Sequence, residues 1–423
     1  MRTQAAWGEV TRIERAFLAL EQKILDGTLA DYRQVHPDAF SWHGWDLIAE
    51  ERLFCMVAPF LRQQVARAIL SMPAVYGDSL DGLDPASLRT RQDWQRVPVL
   101  MKDRDPISGR PGFREAANDN PTLLKPGDMP GSALAFGSGG SLGKYTPTFL
   151  TLQDRGRETQ AWRRGHAYHG LTPGDAALYT YNTTHKGGQW MQESLLMHGV
   201  DVQLRRPDET PQQVLQNLRD YGANLLFTVQ QPPEVMQNQT KAAGVNLHNL
   251  VLASLEDPQY RGILIPDAQG HKQVEFIFLG GFEIVPYALD LAREYLGDTP
   301  VATLLGSSEA IPQACSTNPI LTPGAACHHN NLHLLQSPHY VEVVKQAGDT
   351  WIPVGKGEEG LLVYTSWARD GTLWIRYAPG DVATRFLDEG ECPCGLFSPV
   401  INGVRRAQSQ EQSELFKSGC AAG

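Results

Sequence analysis

From about residue 175 the chain alternates short apolar runs with amphipathic ones, and this alternation limits the fold more than any other feature. Residues 176–179, 202–204, 224–229, 276–279 and 301–305 read as strands, and 190–198, 211–221 and 286–296 as helices. Parallel strands need a crossover of a dozen or more residues between them, usually a helix, so this spacing predicts a largely parallel, helix-covered sheet. Past Pro319 the helical segments stop. Residues 339–344, 360–366 and 372–377 read as antiparallel strands joined by turns. The first hundred residues are helical: Ile13, Phe17, Leu20 and Ile24 share one face, as do Leu53, Val57, Phe60, Leu61 and Val65. The fold class is α/β with a smaller β-rich part.

A chain of 423 residues, 42% hydrophobic and 20% charged, can bury a large core. Its net charge of −10 argues against a nucleic-acid or anionic-membrane surface. No apolar run reads as long enough for a membrane span, and residues 1–4 open no signal peptide. Six unevenly spaced cysteines do not make a disulfide framework, so a reducing cytoplasm is the expected location.

Ser138-Gly139-Gly140-Ser141-Leu142-Gly143-Lys144 follows the small-residue run 131–135, which reads as a buried strand. Three glycines in six positions let backbone N–H groups approach an anion closely. Ser138 and Ser141 add hydroxyls, and Lys144 adds a charge suited to phosphate. The pattern is not the common G-x-x-x-x-G-K-[ST] loop: Ser138 stands at its first glycine and Tyr145 at its Mg²⁺-binding hydroxyl. Three further stretches end a predicted strand, turn at glycine and place a carboxylate where ligands collect in open α/β sheets. They are Gly280-Gly281-Phe282-Glu283, Gly306-Ser307-Ser308-Glu309, and Arg376-Tyr377-Ala378-Pro379-Gly380-Asp381.

In this order the four elements resemble the adenylate-forming superfamily, and within it the phenylacetate-CoA ligase branch. Residues 138–144 are similar to its S-S-G-T-T-G-K loop, Gly281-Phe282-Glu283 to G-A-E, Gly306–Glu309 to Y-G-x-[ST]-E, and Arg376-Tyr377 with Asp381 to R-Y-x-x-x-D. Val97-Pro98-Val99-Leu100-Met101-Lys102-Asp103 resembles the branch's L-P-x-x-x-K-x-D signature, and Glu391-Cys392-Pro393-Cys394-Gly395 its C-P-C-G turn. The resemblance implies the large N-terminal domain of that fold. Residues 1–96 would be its helical part, 97–318 the α/β adenylating core, 319–404 the β-rich subdomain and 405–423 a polar tail.

It also implies ATP, Mg²⁺ and a small carboxylic acid, aromatic by the branch, joined as an acyl-AMP. Joining two anions asks for charge neutralisation and in-line positioning. The catalytic residues would be Glu309 (holding Mg²⁺), Lys144 and Ser308. ATP/AMP would contact Ser138, Gly139, Gly140, Ser141, Gly143, Gly281, Phe282, Glu283, Gly306, Ser307 and Arg376, with Asp381 accepting the ribose hydroxyls. His185, Gly280, Phe282 and Gly306 would border the acid, with Trp190 either flanking a ring or packing in the core. Cys327, His333, Cys392 and Cys394 would hold a structural Zn²⁺, with Cys315, His328 and His329 as spare candidates.

The departures are specific. Leu305 replaces an adenine-stacking aromatic, Leu142 replaces a hydroxyl of the phosphate loop, and Gly403-Val404-Arg405-Arg406 stands at the hinge without its acidic pair. The small C-terminal lid domain is read as absent. The expected product is therefore an acyl-AMP handed to an acceptor enzyme, CoA or a carrier protein, with a homodimer left open. The alternatives are a complete aryl-CoA ligase working without the lid, and a catalytically degenerate nucleotide- or acyl-binding protein.

Overall fold

The computed structural model describes residues 3–104, 112–115, 120–139, 145–181, 186–229, 245–280, 286–307, 309–348 and 350–407, with side chains from residue 12 onward except at 138, 139, 145 and 286. The chain forms two compact units. The first comprises residues 1–164, 306–313 and 333–423, and the second comprises 165–305 and 314–332.

The second unit is built on a five-stranded, all-parallel sheet. Its spatial order is Asp201–Leu204, Ala176–Tyr179, Leu225–Val229, Phe276–Gly280 and Val301–Ala302. Phe276–Gly280 is buried at all five positions, as a strand covered on both faces must be. Leu178, Leu226, Ile277 and Leu279 pack with Val214, Leu215 and Leu218 of helix Pro211–Tyr221 and with Leu250 and Val251 of helix Leu247–Glu256. The bounds of Pro211–Tyr221 are set locally. Thr210 and Gln213 form a reciprocal capping box, Pro211 fits the first helical position, and Gly222 ends the helix at φ 69°.

One expected strand is broken. Residues 301–305 form two pieces, Val301–Ala302 and Leu304–Leu305, because Thr303 leaves the parallel ladder. Its hydroxyl donates to the Leu279 carbonyl at 2.7 Å, and its N–H to Ser316 Oγ at 3.1 Å. Leu304–Leu305 then pairs antiparallel with Ala314–Cys315.

The first unit holds the β-rich part. Strand Glu359–Ser366 pairs antiparallel with His339–Ala347 on one side and with Asp381–Leu387 on the other, which in turn pairs with Val400–Arg406. Residues 372–376 depart from the expected strand. The Leu373 carbonyl accepts from the Tyr76 hydroxyl, the Ile375 N–H donates to that hydroxyl at 3.2 Å, and the Arg376 N–H donates to Thr365 Oγ1 at 2.9 Å. Side chains therefore satisfy groups that a ladder would have paired, and Arg376 takes φ 39°. Only Tyr377–Ala378 remains a strand, lying parallel to Leu100–Met101 with Leu100 opposite Tyr377.

The expected buried strand at 131–135 also differs. The strand runs Leu134–Gly139, leaves Ala135 exposed, and forms an antiparallel ribbon with Tyr145–Leu150. The Phe149 carbonyl accepts from the Thr372 N–H at 2.8 Å, leaving no room for a side chain at Gly371, where a Cβ would lie 2.0 Å from that oxygen.

Helix Glu50–Ser71 is, contrary to the sequence reading, long and apolar enough to cross a membrane by length and composition. Leu53, Phe54, Met56, Val57, Phe60, Leu61 and Val65 are all buried in the protein core. Helix Thr3–Leu25 likewise buries Phe17, Leu20 and Ile24.

Candidate functional site

The parallel pairing of Leu100–Met101 with Tyr377–Ala378 sets two of the sequence signatures side by side. Lys102 continues the first strand, its N–H donating to the Ala378 carbonyl at 3.0 Å. Its ammonium reaches Glu309 Oε1 at 2.7 Å, and both side chains are buried, 6% and 1% exposed. The Tyr377 hydroxyl stands 3.4 Å from the same oxygen. Burial raises the Tyr377 and Tyr364 hydroxyls well above their ordinary range, and the neighbouring Glu309 charge adds to this, so both stay protonated and can donate.

Glu309 sits on a closed turn. The Ser307 N–H donates to the Ala310 carbonyl at 2.9 Å, and the Ala310 N–H returns to Ser307 Oγ at 3.1 Å. Ser307 Oγ also lies 3.3 Å from the Tyr364 hydroxyl and accepts from Gln313 at 3.2 Å. A Cβ on Gly306 would come within 3.1 Å of Ile311, so the turn is tight at its entry as well. Arg369 Nη1 donates to the Glu309 carbonyl at 2.6 Å.

Asp381 opens the strand after Gly380, which takes φ 98°. Its Oδ1 pairs with Arg406 Nε at 3.2 Å, the two residues facing each other across neighbouring strands. Burial raises the Asp381 carboxyl above the ordinary carboxylate range; Arg406 and Lys102 pull it down, and Glu309 adds to the rise. Each carboxylate has its own cation, the buried Glu309 the Lys102 ammonium and the largely buried Asp381 the Arg406 guanidinium, so the charges are compensated in pairs. The arrangement can hold a divalent cation at Glu309 and donor hydroxyls at Asp381.

The other expected nucleotide residues divide. Ser138 and Gly139 end the strand Leu134–Gly139, opposite Thr146 and Tyr145. Gly140, Ser141, Gly143, Lys144, Gly281, Phe282, Glu283 and Ser308 lie outside the described residues, as does His185. Arg376 is fully buried and turned inward, paired with Glu342 at 3.1 Å and donating to the carbonyls of Val97 and Trp351 at 2.8 and 3.1 Å. Here its guanidinium ties the 94–97 segment to the sheet.

In the second unit, Gly280 ends the fully buried strand against Tyr181. A Cβ there would lie 2.4 Å from the Tyr181 hydroxyl, which donates to the Thr228 carbonyl. Trp190 is fully buried, with the equally buried Lys186 ammonium 5.7 Å from its ring.

His333, Cys392 and Cys394 gather in the first unit, their candidate ligand atoms within 4.8 Å of one another. His333 Nε2 lies 3.1 Å from Cys394 Sγ, and its Nδ1 faces the Ser398 carbonyl at 2.7 Å. That carbonyl fixes a proton on Nδ1 and directs Nε2 toward the sulfurs, the orientation a metal-ligating imidazole needs. Gly395, at φ 90°, turns the chain after Cys394, and the Leu396 N–H donates to the Cys394 sulfur at 3.4 Å. Burial disfavours the His333 charge, but Cys392 and Cys394 outweigh it and raise the ring to about 9 without metal. Cys327 belongs to the second unit, where Thr317 Oγ1 lies 3.0 Å from its sulfur. The donor set fits a soft, tetrahedral ion such as zinc.

Lys102 and Arg369 are site residues that the sequence motifs do not single out. Lys102 had a signal, since it stands within the quoted Val97–Asp103 stretch and follows an apolar run, where a lysine must be paired to be buried. Arg369 had none.

No protein-family model and no curated protein matches the sequence. Solved structures do match. The 2-hydroxyisobutyryl-CoA ligase in an open conformation, in complex with 2-HIB-AMP and CoA, superposes at TM-score 0.64 and 17% identity, covering 86% of this chain and 77% of that one. The same ligase in its postadenylation state with 2-HIB-AMP gives 0.63 and 17%, covering 86% and 69%. Its thioesterification state with 2-HIB-AMP and CoA gives 0.64 and 17%, covering 86% and 71%. At this identity the likeness is one of architecture: the chain has the α/β fold of the N-terminal domain of adenylate-forming enzymes.

Proposed function

We propose that this protein joins a small carboxylic acid to AMP at the expense of ATP. The observation that carries the reading is the buried Lys102–Glu309–Tyr377 cluster with Asp381 nearby, in a fold whose solved example holds an acyl-adenylate. In the proposed reaction an acid carboxylate oxygen attacks the α-phosphorus of ATP, the bond to the β-phosphate oxygen breaks, and pyrophosphate leaves. The nucleophile is already ionised, so no side chain has to remove a proton.

Glu309 would hold Mg²⁺, which would neutralise phosphate charge. A site that already accepts an ammonium at 2.7 Å suits a cation. Asp381 would accept the ribose hydroxyls, displacing or sharing Arg406. The Ser138–Lys144 loop and Ser308 would contact the phosphates, and Gly281, Phe282 and Glu283 the base. The acid would lie against Gly280, His185 and Phe282. An aromatic acid is favoured by the branch resemblance of residues 97–103 and 391–395. His333, Cys392 and Cys394, with Cys327 as fourth ligand, would bind a structural zinc, its role being to pin the Cys392–Gly395 turn to the strand carrying His333.

The test is carboxylate-dependent exchange of labelled pyrophosphate into ATP across a panel of aromatic and aliphatic acids, with and without CoA. Exchange with one class of acid is the expected result, and thioester on adding CoA would identify the acceptor. Silence across the panel with ATP still bound would replace this reading with that of a binding protein.

A further inference from the structure

Arg369 makes a forked contact that the proposed reaction does not by itself require. One arm, Nη1, donates to the Glu309 main-chain carbonyl at 2.6 Å. The other, Nη2, is paired with Glu158 Oε1 on helix Leu152–Tyr168. Both side chains are almost wholly buried, at 2% and 1% exposure. His339 flanks the same Glu158 oxygen at 3.4 Å, with its Nδ1 3.0 Å from Ser366 Oγ.

A buried guanidinium needs a paired carboxylate, and Glu158 supplies it. Charge pairing alone would be met by any cation at this place, including lysine. A lysine ammonium also has three donors, but its single nitrogen cannot occupy both places that Nη1 and Nη2 take, one at the Glu309 carbonyl and one at Glu158. The carbonyl it reaches belongs to the residue whose carboxylate faces Lys102 and Tyr377. The main chain of Glu309 is thus tied through Arg369 to Glu158 on a long helix, while its side chain meets Lys102 and Tyr377.

We infer that Arg369 is a positioning residue for the Glu309 carboxylate, fixing where that carboxylate meets a divalent cation. The inference rests on the adenylation reading for what the cation does, but not for whether Glu309 binds one. Misplacing a ligating or reacting group by about 1 Å is enough to cost on the order of a hundredfold in rate.

The test is Arg369→Lys, which keeps the charge opposite Glu158 and removes the arm to the Glu309 carbonyl. Two readouts are taken. One is the Mg²⁺ dependence of pyrophosphate exchange. The other, needing no turnover, is Mn²⁺ binding in the presence of a non-hydrolysable ATP analogue, followed by electron paramagnetic resonance. The expected result is a rise of about tenfold in half-saturating metal in both, the size for losing one charged hydrogen bond. The KM for the acid should be unchanged and exchange partly restored at high Mg²⁺. Wild-type metal dependence, with or without a lower melting temperature, would overturn the inference and leave Arg369 a fold-stabilising residue.

If the lysine variant does not fold, Glu158→Gln is used, which keeps an acceptor for Arg369 but weakens its anchor. A smaller shift in the same direction supports the inference, and none refutes it. If the wild-type protein shows no exchange but binds Mn²⁺ through Glu309, the adenylation reading fails while the Mn²⁺ readout still decides the role of Arg369.

Discussion

Replacing Lys102 by Met keeps most of the side chain's length and apolar bulk while removing the ammonium 2.7 Å from Glu309. With the two side chains 6% and 1% exposed, the change leaves a carboxylate buried without its charge partner. Breaking a buried pair from one side costs about 3–5 kcal/mol, because the remaining charge is not rehydrated. The Tyr377 hydroxyl, 3.4 Å from the same oxygen, can still donate, which favours the lower end. At roughly 2 °C per kcal/mol for a unit of this size, the melting temperature should fall by about 6–10 °C.

The double variant Lys102→Met/Glu309→Gln should recover most of the loss, since no buried charge is left to compensate. Millimolar Mg²⁺ should also raise the melting temperature of Lys102→Met more than that of the wild type, by placing a cation where the ammonium was. The assay is thermal denaturation of the four members of the cycle, with and without Mg²⁺. A single variant within about 1 kcal/mol of wild type would refute this reasoning, as would a double variant no more stable than the single.

Other predictions concern separate parts of the molecule. The Asp381 carboxyl is raised by burial, so the native state holds its proton to higher pH than the unfolded chain does. Its stabilising contribution is complete below the ordinary carboxylate pKa and is lost as pH rises through the raised value; Asp381→Asn should flatten that slope in a pH series of denaturation curves. Nucleotide affinity should run the opposite way, weakening as pH falls through the same range, and the variant should weaken it at every pH. Metal analysis should find about one zinc per chain, reduced by Cys394→Ser, and chelation should release the turn at 392–395 to proteolysis. Gly280→Ala would force a methyl to 2.4 Å from the Tyr181 hydroxyl and should cost about 1–3 kcal/mol of stability, read by denaturant midpoint.

What the sequence made legible was local. Helix Pro211–Tyr221 carries its own start and stop in Thr210, Pro211, Gln213 and Gly222, and its expected bounds match the structure. The parallel strands were visible because burial on both faces makes them continuous apolar runs bounded by turns. The two broken strands share a cause, which is that partners distant in sequence replaced local ladders. Tyr76 and Thr365 satisfy the backbone around residues 373–376, and Ser316 together with Leu279 draws Thr303 out of its strand.

The candidate site shows the same limit. Glu309 and Asp381 stood out as carboxylates after glycine turns. The cation beside Glu309 is more than two hundred residues earlier in the chain and could be matched to it only once Leu100–Met101 was seen against Tyr377–Ala378. Arg376 looked like part of a nucleotide motif, yet its partners, Glu342 and the Val97 and Trp351 carbonyls, come from three separate segments.

In the proposed reaction a carboxylate oxygen of the acid becomes bonded to the α-phosphorus of ATP, and isotope transfer reads this directly. An acid active in exchange is labelled with ¹⁸O in both carboxylate oxygens, carried through turnover with a nucleophilic acceptor, and the phosphorus products are weighed by mass spectrometry. One ¹⁸O should appear in AMP and none in pyrophosphate. Label in inorganic phosphate with ADP as co-product would mean attack at the γ-phosphate, and would contradict the proposed reaction.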